Sequence, residues 1–335
     1  MIPRTQQPAY TPTWQDELKN LITCPKALFQ ALDLPLAQLP YAYQGDQLFQ
    51  LRVTRPFLQR MKKGDLKDPL LMQVLPVHDE TQSPHDYTED PLAEHNHNPT
   101  QGVIHKYHGR VLLVAASQCA INCRYCFRRN FDYASNSPSR SQWQASLSYI
   151  REDSSINEVI FSGGDPLVLG DSQIAWLLGE IEAIPHITRV RIHSRLPIVL
   201  PQRITPALLE RLQHSRLNAV MVVHSNHPNE IDDDVCAALA RIKDAGITLL
   251  NQSVLLAGIN DNSETLINLS ERLFDAGALP YYLHLMDKAK GTAHFDLPEA
   301  QAIAIHQQMQ AHLPGFLVPK LVREIPHKPH KTCVF

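Results

Sequence analysis

Three of the six cysteines lie within eight residues, at Cys119, Cys123 and Cys126, with the spacing C-x3-C-x2-C. Thiolates at such spacing bind soft metals and iron–sulfur clusters. Three ligands leave one iron of a [4Fe–4S] cube without a protein ligand, and that iron can bind a substrate or a cofactor. A structural zinc site would take a fourth Cys or His at regular spacing, which the sequence does not offer. Zinc, or thiols that only pack in the core, remain the alternatives.

The elements that position these cysteines are predicted from alternating apolar and amphipathic segments. Apolar, β-branched runs predict buried strands over residues 110–116, 158–161, 189–193, 219–224, 247–254 and 281–286. Amphipathic stretches over 171–184 and 262–276 predict helices, and Gly246 and Gly277 are placed to end helices with left-handed caps. Six alternations predict an α/β fold with a parallel sheet, a partial (β/α)6 barrel of the TIM type. A doubly wound sheet is the alternative, and in both folds function gathers at the C-terminal ends of the strands.

The segments on either side of this barrel are predicted to be less regular. Residues 1–100 are rich in proline and are predicted to form a mostly helical and irregular wrapping region, whose first helix is capped at Thr13. Residues 82–101, with three prolines among acids and histidines, are predicted to be a loop or arm. After a core over residues 101–313, the C-terminal segment 314–335 is expected to add one strand over 316–322.

Composition excludes several classes of protein. The 335 residues are 44% hydrophobic and 19% charged, which excludes a disordered chain and a coiled coil. A net charge of -3 argues against a nucleic-acid-binding protein, because such proteins usually carry a basic excess. No apolar run approaches the ~18 residues of a membrane span, and Met1 to Tyr10 lacks the apolar stretch of a secretory signal. A cytoplasmic protein without disulfides is therefore expected.

Residues 119–126, Cys-Ala-Ile-Asn-Cys-Arg-Tyr-Cys, resemble the signature of the radical S-adenosylmethionine (SAM) enzymes. Further segments resemble lysine 2,3-aminomutase, and the likeness extends from about Trp14 to Lys331. They are Cys126-Phe-Arg-Arg-Asn-Phe131, Phe161-Ser-Gly-Gly-Asp165, Ser194-Arg-Leu-Pro197 with Pro201-Gln-Arg-Ile-Thr205, His224-Ser-Asn-His-Pro-Asn-Glu230 and Asn251-Gln-Ser-Val-Leu-Leu256. The resemblance implies a radical SAM barrel core and an isomerase that moves an amino group between adjacent carbons.

The resemblance implies which residues hold the cluster. Cys119, Cys123 and Cys126 are the implied ligands of a [4Fe–4S] cluster whose open iron binds the methionine part of SAM. Tyr125, just before the third cysteine, is implied to lie against the adenine. The remaining cysteines are expected to be reduced and dispensable: Cys24, Cys236 and Cys333.

Other implied SAM contacts lie at the ends of predicted strands. Gly163 and Gly164 let a ligand approach the backbone closely. The family uses this Gly-Gly-Asp motif to hold the methionine amino group, with Asp165 as the charge partner. His224 and Gln252, also at strand ends, are weaker candidates for cofactor contacts.

Moving nitrogen between adjacent carbons needs an intermediate that delocalises a radical, which an imine of pyridoxal 5′-phosphate (PLP) provides. The resemblance implies that Lys331, which is followed by threonine, is the catalytic lysine that holds PLP. The family's Gly-rich run before this lysine is here Pro-His-Lys-Pro-His, and Lys328 stays as the alternative. Lys106, Tyr107 and Arg110 match a basic-Tyr-x-x-Arg pattern that binds PLP in the family, with Arg110 as the main phosphate anchor.

Charge complementarity points to the substrate. Arg128 matches the family arginine that pairs with an α-carboxylate in a bidentate fork. Asp287 and Glu324 match the two acids that bind the distal ammonium of lysine, although the family usually has Asp at the second position. A desolvated ammonium needs such partners, whereas glutamate would need a cation or an amide there. L-Lysine is therefore the expected substrate and β-lysine the product; an aminomutase for another amino acid, such as glutamate, is the alternative.

Two features of longer family members are absent from this sequence and point to a subtype. Longer members hold a structural zinc through a cysteine at the position that Asn262 occupies here, and through further cysteines beyond the PLP lysine. The short form resembles the bacterial aminomutase that supplies (R)-β-lysine for modification of elongation factor P. The expected partners are L-lysine, a one-electron donor and an elongation factor P lysyl-ligase, with a homodimer as one arrangement and no nucleic acid or membrane. The alternative outside enzymes is a zinc- or cluster-binding protein without turnover.

Overall fold

A computed structural model describes residues 12–133, 135–136 and 138–334, and the structural statements below refer to these residues. Met1 to Tyr10, the segment predicted to lack a secretory signal, lies outside the described residues. Among the described helices, none combines the length and the apolar character that a transmembrane span requires.

Nine strands form one sheet in which each strand pairs with the next along the chain. Seven of them, β2 to β8, are parallel, and β1 and β9 pair antiparallel at the two edges. The strands are β1 (Val103–Tyr107), β2 (Arg110–Ala116), β3 (Glu158–Gly163), β4 (Arg189–Ser194), β5 (Asn218–His224), β6 (Thr248–Val254), β7 (Leu279–His284), β8 (Lys320–Arg323) and β9 (Thr332–Cys333). Side chains from all seven parallel strands line one cavity, so the sheet curls into a partial barrel.

The predicted α/β barrel class is confirmed, and the six predicted strands correspond to β2 through β7. Their sequential order excludes the doubly wound alternative, in which the strand order reverses at a switch point. The sheet adds a seventh parallel strand, β8, near the predicted position. It begins at Lys320 rather than at residue 316, because Gly315–Leu317 forms a short 3-10 turn.

Five short helices occupy much of the proline-rich N-terminal region, so its irregular part is smaller than predicted. They are α1 (Trp14–Lys19), α2 (Pro25–Ala31), α3 (Leu39–Leu48), α4 (Arg55–Gln59) and α5 (Pro69–Met72). The capping box predicted at Thr13 is confirmed. Four of the five carry proline in the first turn, where its missing N–H costs nothing. The prolines therefore begin helices here instead of excluding them.

The helices between the strands cover the outside of the sheet. They are α6 (Arg140–Glu152), α7 (Asp171–Glu182), α8 (Leu196–Val199), α9 (Pro206–Gln213), α10 (Asp233–Asp244), α11 (Ser263–Asp275) and α12 (Glu299–His312). The predicted caps are confirmed, since Gly246 has a φ of +74° and Gly277 a φ of +94°, a region that favours glycine. Trp14, Phe29 and Phe57 of the N-terminal helices are buried in the same hydrophobic core as the sheet.

Residues 82–101 form the predicted loop, with one short 3-10 turn at Glu94–His97. Leu92 and Glu94 of this loop line the cavity. The N–H of Thr88 donates to the carbonyl of Lys288 at 2.9 Å, which ties the loop to the segment after β7. The loop is therefore part of the cavity wall.

Candidate active site

A large cavity lies inside the curled sheet, with a volume of about 740 Å³. Ligand pockets commonly have volumes of roughly 300–1,000 Å³. Every residue that the sequence predicts for the site lines this cavity. Two groups of side chains are distinguished below: the thiol cluster (Cys119, Cys123 and Cys126) and the lysine–acid cluster, which consists of Lys106, Asp287, Glu324 and Lys331.

The thiol cluster lies on the loop that follows β2. The N–H of Cys126 donates to the carbonyl of Cys123 at 3.0 Å and closes the turn between them. Burial, together with the charge of Asp165, raises the pKa of Cys119, and burial with the neighbouring Cys123 raises the pKa of Cys126 to about 11. In the described chain no group of three or more His, Cys, Asp or Glu is arranged to hold a metal ion. A bound metal centre would have to displace the protons of these thiols.

The loop of the thiol cluster is fixed by the N-terminal region. Arg124, between the second and third cysteines, is fully buried and donates from Nε to Glu80 Oε1 at 2.9 Å. Arg129 donates to Oε2 of the same carboxylate at 2.6 Å. The N–H of Arg124 also donates to the carbonyl of Gln73 at 2.9 Å. A single buried carboxylate and its two arginines thus join the loop to a segment more than forty residues earlier.

Arg195, directly after β4, contacts the thiol cluster. Its Nη1 lies 2.7 Å from Cys123 Sγ, and its Nη2 donates to Gln73 Oε1 at 2.6 Å and to Glu230 Oε2 at 3.1 Å. Arg195 and Glu230 are both buried. A buried guanidinium therefore places positive charge beside a thiol whose thiolate it would stabilise.

Tyr125 is buried at the cavity wall beside the thiol cluster. Its hydroxyl accepts a hydrogen bond from Asn226 Nδ2 at 2.6 Å, and the Arg195 guanidinium lies 5.6 Å from the ring centroid. The ring of Phe295 packs edge-on at 6.2 Å. These contacts hold the Tyr125 ring as one fixed wall of the cavity.

The glycine turn after β3 leaves no room for larger residues. A Cβ at Gly163, whose φ is +111°, would lie 2.5 Å from the carbonyl oxygen of Ala116. A Cβ at Gly164 would lie 2.4 Å from the carbonyl oxygen of Gln118 on the thiol loop. The two glycines are therefore required for close packing of the turn against the segment that carries Cys119.

Asp165 accepts four hydrogen bonds from the protein. Ser194 Oγ and the N–H of Leu167 donate to Oδ1 at 2.7 and 3.0 Å, and the N–H groups of Arg195 and Leu196 donate to Oδ2 at 2.8 and 3.2 Å. Burial raises its pKa, which these bonds oppose. An ionised carboxylate offers about four acceptor positions, so a ligand ammonium would compete with donors already in place.

The lysine–acid cluster is centred on Glu324, just after β8. Lys106 donates to its Oε1 at 2.7 Å, and Lys331 donates to its Oε2. Lys106 is held further by the carbonyl of Leu92 at 3.0 Å. Although burial opposes it, the charges of Lys331 and Lys106 hold the pKa of Glu324 well below its usual range. The arrangement brings Lys331 to the cavity, as the sequence predicts.

The other lysines considered from the sequence lie elsewhere. Lys288 and Lys290 pair with Asp86 and Glu89 on the surface, and neither they nor Lys328 line the cavity in the described chain.

Asp287 follows β7 and completes the lysine–acid cluster. Burial, followed by the negative charge of Glu324, raises its pKa to about 7. Its side chain makes no hydrogen bond or ion pair with another described residue. A carboxyl group that faces the cavity without a protein partner is suited to bind a cation of the ligand.

Arg128 already has an acidic partner in the cavity wall. Its Nε and Nη2 donate to Glu94 at 2.8 and 2.6 Å, and its Nη1 donates to Ser162 Oγ at 3.1 Å. Although burial opposes it, Glu94 raises the pKa of Arg128. Glu94 thus occupies the bidentate edge of Arg128 that was predicted to bind a substrate carboxylate. The remaining donor, Nη1, bonds to the hydroxyl of Ser162, a residue that lines the cavity.

Arg110 lies at the start of β2, and its side chain makes no hydrogen bond or ion pair with another described residue. Its guanidinium stacks 4.7 Å from the centroid of Tyr107. The Tyr107 hydroxyl is buried beside Glu324 but is not aligned for a hydrogen bond with it. An unpaired guanidinium and an unpaired hydroxyl fit an anionic ligand group.

His224 and Gln252 pair with each other at the ends of β5 and β6, with 2.9 Å between His224 Nε2 and Gln252 Nε2. Burial and the charge of Arg195 lower the pKa of His224 to about 3, so its ring is neutral. The rings of His193 and His224 meet edge-on at 5.9 Å.

Several functional candidates are absent from the sequence-based prediction: Gln73, Glu80, Glu94, His193, Arg195, Glu230 and His284. Arg195 appeared only within the segment Ser194–Pro197 that resembles the family. Gln73 and Glu80 lie in the region taken as irregular, where no local pattern marks a side chain that supports the site. Their role depends on contacts with residues far away in sequence, and residue spacing does not predict such contacts.

Comparisons with known proteins give a matching superfamily model and several similar relatives. The model of the radical SAM superfamily matches residues 113–270. L-lysine 2,3-aminomutase of Escherichia coli is 48% identical over 320 residues, which cover 95% of this chain and 93% of that one. The enzyme of Haemophilus influenzae is 47% identical over 319 residues, with 95% and 94% covered. That of Clostridium subterminale is 33% identical over 323 residues, with 96% and 77% covered.

Solved structures are more distant. Streptococcus suis SuiB bound to S-adenosylmethionine has a TM-score of 0.48 and 13% identity, and the match covers 68% of this chain and 52% of that chain. A likeness at this level adds no argument.

Proposed function

The chain belongs to the L-lysine 2,3-aminomutase family of radical SAM enzymes, and from this premise we propose that it converts L-lysine to β-lysine inside the cavity. The observation that carries the proposal is the convergence of the thiol cluster, Lys331, Arg110, Arg128 and Asp287 on one cavity of about 740 Å³. These residues supply the donors that the family's three cofactors and a cationic amino acid require. The chain is accordingly an isomerase.

The donor set fits a [4Fe–4S] cluster with SAM. Cys119, Cys123 and Cys126 would hold three irons, and Arg195 would stabilise the thiolate of Cys123 from 2.7 Å. Tyr125 offers a fixed aromatic face to the adenine. When bound, the cluster supplies one electron to SAM and so generates the radical that abstracts hydrogen. The chain's own part is to bury these thiols and to fix their loop through Arg124.

The donor set also fits PLP, which when bound supplies the delocalisation that nitrogen migration requires. Lys331 is the proposed lysine that holds it. Arg110, without a protein partner, and the unpaired Tyr107 hydroxyl are the proposed phosphate contacts. Lys106 serves mainly to hold Glu324 in place at 2.7 Å.

The charges facing the cavity favour lysine over glutamate. Asp287 and Glu324 are proposed to bind the distal ammonium, and Arg128 the α-carboxylate through Nη1. A side-chain carboxylate in the same place would face two acids and be repelled. Glu94 keeps Arg128 oriented and charged. Asp165 is proposed to act chiefly by holding the turns after β3 and β4 together, because its four acceptor positions are filled.

An assay of free L-lysine tests this function directly. Anaerobically reconstituted protein with SAM and dithionite is expected to form β-lysine, to contain about four iron and four sulfide per chain, and to trap PLP with borohydride. Glutamate is expected to give no product. Zinc in place of iron, or trapped PLP without lysine turnover, would contradict the proposal. Asp244→Asn, an exposed substitution on α10, is the matched control for variants of Asp287.

The destination of the product is a finer proposal. The chain covers 93–94% of the length of the Escherichia coli and Haemophilus influenzae relatives, and we propose that its product is (R)-β-lysine, which an elongation factor P lysyl-ligase uses. The same proposal includes an external one-electron donor, a homodimeric assembly and a cytoplasmic location. Mass spectrometry of elongation factor P, incubated with a lysyl-ligase and the enzymatic product, is expected to show β-lysylation. An unmodified factor with product of verified (R) configuration would contradict it.

A further inference from the structure

Two histidines in the cavity wall lack partners in the described chain. His193 on β4 and His284 on β7 each bury Nε2 without a hydrogen-bond partner, and Nδ1 of neither ring bonds to a described residue. Both rings line the cavity. His224, two strands from His284 in the same wall, is by contrast bonded to Gln252. Buried polar groups in proteins are nearly always paired, so two unpaired rings in one cavity call for a ligand.

The pKa values of both histidine rings are lowered. Burial, with the charge of Arg191 next, lowers the pKa of His193, and burial with the charge of Lys331 lowers the pKa of His284 to about 3. Lys331 also contributes to the shift of His193, so both rings lie within electrostatic reach of its ammonium. A neutral imidazole carries one donor and one acceptor nitrogen. Each ring can therefore bind a polar atom without adding positive charge to a region that already holds Lys106 and Arg110.

We propose that His193 and His284 bind the pyridoxal group that Lys331 holds, each by a hydrogen bond between its unpaired Nε2 and a polar atom at the edge of that group. This inference rests on the proposed function. Strands β5 and β6 separate the two histidines, so they belong to different parts of the curled wall. Two contacts from different strands fix the orientation of a planar ring, which one contact does not. The two histidines are positioning residues, because they orient the pyridoxal ring that migration of the nitrogen requires.

The test compares apolar and amide replacements at each position. His193→Leu and His284→Leu remove both ring nitrogens, whereas His193→Gln and His284→Gln retain a polar group near the position of Nε2, the nitrogen that lacks a partner. We expect each leucine variant to bind PLP about five- to tenfold more weakly than the parent protein. The visible absorption maximum of bound PLP, measured without lysine, is expected to shift as well. The glutamine variants are expected to recover part of both properties.

The matched control is His306→Asn. His306 is a buried histidine on α12 whose Nε2 lies 2.8 Å from the carbonyl of Pro319, outside the cavity. This variant is expected to keep the parent's PLP affinity and spectrum. If a leucine variant does not fold, His→Asn at that position takes its place, because Asn is shorter and leaves no polar group near the position of Nε2.

Two results would overturn the inference. The first is parental PLP affinity and absorption in the leucine or asparagine variants at both positions. The second is an effect confined to lysine binding, with an unchanged pyridoxal spectrum, which would assign the histidines to the substrate. Borohydride trapping separates this inference from the proposed function. A parent protein that traps no PLP at Lys331 contradicts the proposed function itself, whereas normal trapping with unaffected histidine variants contradicts only the role of the histidines.

Discussion

The thiol cluster and the lysine–acid cluster share one cavity but are built in opposite ways. The three thiols come from one loop of eight residues, and burial raises the pKa values of Cys119 and Cys126 because it disfavours their thiolates. Lys106, Asp287, Glu324 and Lys331 come from distant segments, and Glu324 is ionised because two lysines pair with it. Cys119 and Cys126 therefore need a bound metal centre to become charged, whereas the lysine–acid cluster is largely balanced by its own members. A substitution in one cluster is therefore expected to leave ligand binding by the other cluster unchanged.

The largest expected effect follows from removal of one thiol. Cys126→Ala is expected to eliminate stable iron binding and to lower kcat by at least about a thousandfold, because the radical step depends on the cluster. PLP trapped at Lys331 is expected to be unchanged. Iron analysis, SAM-dependent turnover and borohydride trapping measure the three quantities. Cys236→Ala, at a thiol on α10 outside the cavity, is the control and should keep its iron. A normal iron content in Cys126→Ala would contradict the proposed role of the thiol cluster and its difference from the lysine–acid cluster.

Removal of the central lysine tests the other cluster. Lys331→Ala is expected to lose trapped PLP and to reduce turnover by about a hundredfold or more, since the covalent link to the cofactor is gone. Its iron content should equal that of the parent protein. Lys328→Ala, three residues away and outside the cavity wall, is the control. PLP still trapped in Lys331→Ala, and lost in Lys328→Ala, would transfer the role to Lys328.

Asp287 predicts a pH dependence. With a raised pKa of about 7 the carboxyl is protonated below that pH and can no longer attract the distal ammonium of lysine. The value of kcat/KM for lysine, which reports the free enzyme, should therefore fall as the pH drops below about 7. Asp287→Asn is expected to raise KM for lysine about tenfold and to remove this part of the profile. A profile that is identical in Asp287→Asn would show that another group titrates.

The smallest effect on turnover is expected at Glu80, outside the cavity. Glu80→Gln removes the charge that both Arg124 and Arg129 share. Breaking one partner of a buried ion pair costs about 3–5 kcal/mol, so the free energy of unfolding should fall by that order. Denaturant unfolding of the folded chain measures it, with the exposed Glu271→Gln on α11 as the control. PLP trapping should not change. Unaltered stability would mean that the thiol loop does not depend on this network.

The two clusters also differ in how well the sequence predicts them. The thiol cluster follows from residue spacing alone, and the six strands follow from apolar runs whose length and flanking glycines are local properties. The N-terminal helices were partly missed, because proline at Pro25 and Pro69 begins a helix and was taken as a sign of irregular chain. The short strand β9 and the helix α12 carry no clear periodic signal. Lys331 and Glu324 could be assigned only through the family resemblance.

Glu94 shows where sequence reasoning ends. Arg128 was expected to present a bidentate edge to a substrate carboxylate, and nothing in its neighbourhood indicates that Glu94 occupies that edge at 2.6 and 2.8 Å. The same holds for Arg195 beside Cys123 and for the full hydrogen bonding of Asp165. Apart from Leu167, two residues from Asp165, the partners lie about thirty or more residues away, and a contact across that distance depends on how the strands curl.

By itself the sequence determined the α/β barrel class, the three thiols and the family, because each depends on local spacing or on matched segments. Only the tertiary structure decided which charges meet. Among the described residues it paired Lys331 with Glu324, left the side chains of Asp287 and Arg110 without a hydrogen bond or ion pair, and buried His193 and His284 with unpaired nitrogens. The physical reason is that electrostatic and hydrogen-bond partners are set by distance in space. In a parallel sheet that curls around a cavity, residues far apart along the chain become neighbours.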